Sequence, residues 1–217
     1  MAINRQKISQ MTPKGSELDA TDLLEVSIDT GSGYETRSIT GQQIISAGSY
    51  GLYTQTASST PVSNTTTETS LLDGGLGSLS IPADGFNVGD SFHAILTGHI
   101  SAVNNHTLTI RIKAGSVVLA TTGAITMAGT TGKHWKLEVY FTVRTLGVSG
   151  VASIATAGTF MYTKNASTNF EGTNFSTETT TGFDTTISNT LSITAQWGTA
   201  NAGDSIYSEI FTLNKTY

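Results

Sequence analysis

The chain has 217 residues, 37% of them hydrophobic and 12% charged, with a net charge of −5 and no cysteine. This length suits one large domain with a small accessory module, and the acidic balance without any cluster of Lys and Arg argues against a phosphate-backbone partner, so no nucleic acid is expected. The start MAINRQKISQ lacks the apolar core of a signal peptide, no apolar run of about 18 residues is present to cross a bilayer, and thiolate chemistry and disulfides are ruled out.

Synthesis in the cytoplasm without membrane insertion is the expectation that follows. Ser and Thr together exceed a quarter of the chain. Thr suits exposed strand positions, because its branched Cβ favours extended backbone while its hydroxyl faces water.

Residues 1–46 carry a large share of the charges, among them Arg5, Lys7, Glu17, Asp22, Glu25, Glu35 and Arg37. Leu23–Ile28 reads as a short strand, Asp29–Gly33 (DTGSG) as a tight turn and Tyr34–Ile39 as the return strand of a β-hairpin. Thr40 is placed to cap a helical turn through Ile45. A hairpin and one turn of helix bury too little to be stable alone, so this module is expected to dock onto a partner. Residues 47–69 are dominated by Gly, Ser and Thr and read as a linker.

Residues 70–217 carry the period-two signal of strands with one dry face. It is clearest in KHWKLEVYFTVR, where Trp135, Leu137, Val139, Phe141 and Val143 share a parity and Lys136, Glu138, Tyr140, Thr142 and Arg144 take the other. Strands are expected near Leu76–Pro82, Asp90–Ser101, Thr107–Ala114, Val117–Thr121, Lys133–Thr145, Val151–Tyr162, Thr185–Trp197 and Ser205–Lys215. That number is the one with which a jelly roll wraps two facing sheets. The fold expected is therefore all-β, a jelly-roll-like antiparallel sandwich with a small N-terminal hairpin module. Trp135 and Trp197 are assigned to its core. Lys164–Gly182, rich in Asn, Thr and Ser, reads as a long exposed loop.

Enzyme motifs are missing: there is no nucleophile elbow, no phosphate-cradling loop and no paired-histidine spacing of a zinc protease. His93 and His99 share a parity, but no carboxylate stands at a spacing that would orient either ring, so they read as solvated or interface side chains, as do His106 and His134. A trimer axis offers a way of gathering three copies of one of them. Asp84, Asp90, Asp184 and Asp204 stand near strand ends and read as turn residues accepting backbone N–H groups rather than as a calcium site. No cofactor or metal is called for. Asn-x-Ser/Thr triplets are expected by chance in so Thr-rich a chain. Tyr162, Phe170, Phe175 and Tyr207 lie in or near expected loops; ordinary packing is the plainer reading, and stacking on sugar rings the functional one.

The segment INRQKISQMTPKGSELDATDLLEVSIDTGSGYETRSITGQQII resembles a short leader module on virion proteins of tailed bacteriophages. SLSIPADGFNVGDSFHAILTGHIS, LTIRIKAG, KLEVYFTVRTLG and FDTTISNTLSITAQWGTAN are similar to a β-rich domain at the ends of phage fibres and on head decorations. The resemblance implies a non-enzymatic virion structural protein at the particle surface, a trimeric fibre or spike with a head location slightly favoured over a tail. Its N-terminal module would attach to other virion proteins through Leu23, Leu24, Tyr34, Ile39 and Ile44. The alternative is a tail-fibre receptor-binding protein that holds host-surface glycans, and a third reading is a polysaccharide-degrading enzyme using two opposed carboxylates.

Overall fold

The computed structural model of the chain describes residues 23–29, 31, 33–40, 50–165 and 169–217. The chain divides into two compact units, Met1–Gly48 and Ser49–Tyr217. Among the described residues every element is a strand.

In the first unit β1 (Leu23–Asp29) pairs antiparallel with β2 (Tyr34–Thr40), in register from Leu23 opposite Thr40 to Asp29 opposite Tyr34. The turn falls in DTGSG, where Gly31 takes a φ of 77° that costs a residue with a Cβ strain energy. Of the expected attachment residues, Leu23 is exposed and Leu24 half-buried. Tyr34 and Ile39 occupy strand positions. Ile44 and the turn expected after Thr40 lie outside the described residues.

The second unit contains β3 (Tyr50–Gln55), β4 (Val62–Ser63), β5 (Thr69–Ser70), β6 (Gly75–Gly77), β7 (Ser80–Ile81), β8 (Ser91–Ala102), β9 (Thr107–Ala114) and β10 (Val117–Thr126). It continues through β11 (Thr130–Thr145), β12 (Ser153–Thr163), β13 (Phe170–Thr179), β14 (Asn189–Trp197) and β15 (Ser205–Lys215). The large sheet runs β13-β12-β11-β8-β15-β3-β6, with β4 also on β15; the small sheet runs β10-β9-β14-β5, with β7 on β14. All pairings are antiparallel. The result is a sandwich-like all-β unit. Its longest run of neighbours, β11-β12-β13, is a meander, so the strand number that suggested a jelly roll does not by itself specify the wrap.

Alternation dictates the core. One face of β8 and β11 supplies Phe92, Ala94, Leu96, Ile100, Trp135, Leu137, Val139, Phe141 and Val143, all buried. Against them stand Leu108, Ile110 and Ile112 from β9 and Ile193, Ala195 and Trp197 from β14. Burial of this apolar surface, at roughly 25 cal/mol per Å2, is the main stabilising contribution.

Two segments depart from the sequence reading. Residues 47–69, expected as a linker, include β3, β4 and the start of β5, and from Ser49 onward they belong to the sandwich. Val62 is buried and its carbonyl accepts from Trp197 Nε1 at 2.9 Å. Ser208 Oγ donates to Gln55 Oε1 at 3.0 Å, while Ser59 Oγ accepts from the Ser208 backbone N–H at 2.9 Å. Hydroxyls and an amide here pair internally, which lets a polar sequence be buried. Lys164–Gly182, expected as a loop, contains β13, paired with β12 over its whole length. The strand expected at Leu76–Pro82 is broken into the short β6 and β7.

Candidate functional site on the outer face of the large sheet

The side chains of β8, β11 and β15 that point away from the core form the one face where histidines, carboxylates and tyrosines gather among the described residues. On β8 the outward positions include His93 and His99; on β11 they include His134, Lys136, Glu138 and Tyr140; on β15 Tyr207. Register sets His134 directly opposite His99, and His99 opposite Tyr207.

A bulge adds the fourth member. Ser208 pairs with Gly98 and Ile210 with Thr97, so Glu209 is an extra residue on β15. Such an insertion re-aims a side chain, and here it turns Glu209 onto the face that Tyr207 occupies. It also switches the inward parity of β15 from Ile206 and Ser208 to Phe211 and Leu213. Glu209 Oε2 reaches to 3.0 Å from His99 Nδ1, and the His99 and His134 rings lie 4.3 Å apart. Tyr207 stacks on the other side of His99 at 5.8 Å. Although this approach is close enough for charge attraction, it is out of line for N–H donation, and His99 Nδ1, sealed from solvent, makes no hydrogen bond.

The floor beneath this group is rigid. Trp135 Nε1 donates to the carbonyls of both His99 and Tyr207 at 3.1 Å, tying β8 to β15 from below. Gly98 makes that possible: a Cβ there would sit 2.0 Å from the Tyr207 carbonyl oxygen. A residue without a side chain is the one that lets the strands and the indole approach so closely.

A second group lies along the same face. His93 Nε2 is 2.9 Å from Glu138 Oε1, and its ring stacks on Tyr140 at 4.5 Å and 4°. Lys136 Nζ is 2.6 Å from Glu138 Oε2, and Tyr140 donates its hydroxyl to Glu138 Oε1 at 2.8 Å. The Lys136 contact first, then the Tyr140 and His93 bonds, hold the Glu138 carboxyl down to about 2. The bond to the Glu138 anion in turn raises the Tyr140 phenol above its ordinary range. The expectation that no carboxylate orients His93 is therefore corrected, since Glu138 bonds its ring, while Glu209 stands 3.0 Å from His99 Nδ1 without bonding it. Both partners come from neighbouring strands, which spacing along the chain does not display.

The other expected residues are placed as follows. Tyr162 is fully buried, its hydroxyl accepting from the Ala128 N–H at 2.7 Å, so it is not a loop aromatic. Phe175 is half-buried and lies against Gly158 on the inward side. Phe170 is 71% exposed at the start of β13 and lies with Met161 around a shallow hollow. Tyr207 belongs to the His99 group. The four aromatics do not meet, and no shared sugar platform is formed by them. Asp90, Asp184 and Asp204 do accept the backbone N–H groups of Asn87, Thr186 and Val103, at 2.9, 2.8 and 2.8 Å. Asp204, fully buried, also holds His106 Nδ1 at 2.6 Å, and Asp90 pairs with Lys215 at 2.7 Å.

Fold and site together define a β-sandwich that carries two histidine–carboxylate groups on the outer face of its larger sheet. Comparison with protein-family models, curated proteins and solved structures finds no match for the chain.

Proposed function

We propose that the chain is a non-enzymatic structural protein of a tailed-bacteriophage particle, a trimeric surface fibre or spike. In this reading the first unit attaches to other virion proteins and the sandwich stands outward as a knob. The observation that carries it is the outer face of the large sheet, where Tyr140, Met161, Phe170 and Ile210 are all exposed between polar groups. Large apolar side chains spread over one sheet face fit a surface that other copies cover better than one that faces water alone. The separate β1–β2 hairpin adds support, since two strands are marginal in water without something to pack on.

A receptor-binding role toward host glycans is the second reading, and the dispersal of Tyr162, Phe170, Phe175 and Tyr207 does not favour it. Carboxylates across the sandwich are engaged by cations or histidines: Glu68 by Arg111 and Lys113, Glu178 by Arg144, Glu171 by Lys164. That pattern suits a built surface more than an acid–base pair. The test is electron microscopy of intact phage particles from the source, labelled with antibody raised against the full chain. Label on the outside of the particle is the expected result. Particles free of label, with the antigen recovered from the soluble host fraction, would contradict the proposal.

A further inference from the structure

The His99 group has the composition and the spacing of a cation site. His99, His134 and Glu209 each offer one ligand atom, and these atoms all lie within 4.8 Å of one another. A transition-metal ion bound by imidazole and carboxylate at about 2.1 Å needs its ligands within about 4 Å of each other. Only a small closure separates the two. His134 is exposed, with its ring 4.3 Å from that of His99, so a turn of its side chain brings it to the pair, and the Tyr207 ring stacks on His99.

Three further features favour an ion here. His99 Nδ1 lies 3.0 Å from a carboxylate oxygen but out of line with it and without a hydrogen bond, which is an arrangement that a cation shared by the two satisfies. The ligands arise from three neighbouring strands whose register is fixed from below by the Trp135 indole, so the donor set stands on rigid elements. Glu209 is delivered by a bulge, a device that commonly re-aims a side chain at a site.

We propose that His99, His134 and Glu209 bind one divalent transition-metal ion, with Zn2+ the best fit. Two imidazoles and one carboxylate match zinc and its neighbours rather than Ca2+ or Mg2+, which take all-oxygen sets. With three protein ligands the ion keeps at least one position for a further ligand, and binding clamps β11, β8 and β15 together across the middle of the large sheet. This inference stands independently of the virion reading.

Calorimetry and thermal melting of the untagged full chain with Zn2+ as the probe test it. With free Zn2+ at roughly 100 times its Kd, the melting temperature rises by about 5 °C or more, and Mg2+ leaves it unchanged. His134→Ala, at an exposed position, folds as before and weakens Zn2+ binding by about tenfold or more; Glu209→Gln does the same while keeping the bulge. His93→Ala, in the neighbouring group, binds as the parent does. No saturable binding by the parent, parental affinity in both His134→Ala and Glu209→Gln, or equal loss in His93→Ala would each overturn the assignment.

Discussion

Replacing Trp135 by Ala is expected to destabilise the sandwich by about 4 kcal/mol in denaturant titration, one of the two largest single-residue effects we foresee. The indole is 2% exposed and packs on Phe160 at 5.9 Å, so truncation opens a cavity in a region that cannot close without moving three strands. It also removes the N–H that serves the His99 and Tyr207 carbonyls. Trp135→Phe separates the two contributions: it keeps most of the apolar volume and loses only the donor, for a cost of about 1–2 kcal/mol. A loss below about 1 kcal/mol in Trp135→Ala would show that the indole is not the strut between β8 and β15.

Gly98→Ala is the second, with an expected loss of about 3 kcal/mol. The added Cβ meets backbone on both counts, the Tyr207 carbonyl oxygen at 2.0 Å and the Ser208 Cα at 2.8 Å, and no side-chain rotation relieves backbone. Relief requires β8 and β15 to separate where Glu209 bulges, so the substitution reaches the His99 group as well. Gly51→Ala supplies the comparison. Its Cβ would come no closer than 3.7 Å, to the Asn214 side chain, and its effect should stay within about 0.5 kcal/mol. Equal costs for the two substitutions would mean that Gly98 is not the point of close approach.

The fold was legible where apolar residues alternate against a fully covered core. The run from Trp135 to Val143 is inward-facing throughout, the turn of the first unit falls within DTGSG, and both tryptophans are buried. It was not legible where burial is achieved by polar groups. Gln55 and Ser59 are buried because each finds a partner in Ser208 across the fold, over 153 and 149 residues of sequence, and composition reads those two residues as part of a linker. β13 misled for a related reason. Its inward positions Glu171, Thr173 and Phe175 are only half-buried, so the alternation that marks a covered strand is faint.

Of the site, the shared parity of His93 and His99 was visible, and their carboxylate partners were not. Glu138 reaches His93 across strand pairing over 45 residues of sequence, and Glu209 reaches His99 through a bulge. One signal for that bulge does exist in the chain. The apolar residues of β15 change parity between Ile206 and Phe211, which a strand facing a single core does only by gaining a residue.

The central claim is that the outer face of the large sheet is completed by identical neighbours. The molar mass of the untagged full chain in solution, measured by light scattering over a range of concentrations, tests it most directly. A species of three times the 22.7 kDa chain mass is the result predicted. A particle of 22.7 kDa at every concentration would contradict it.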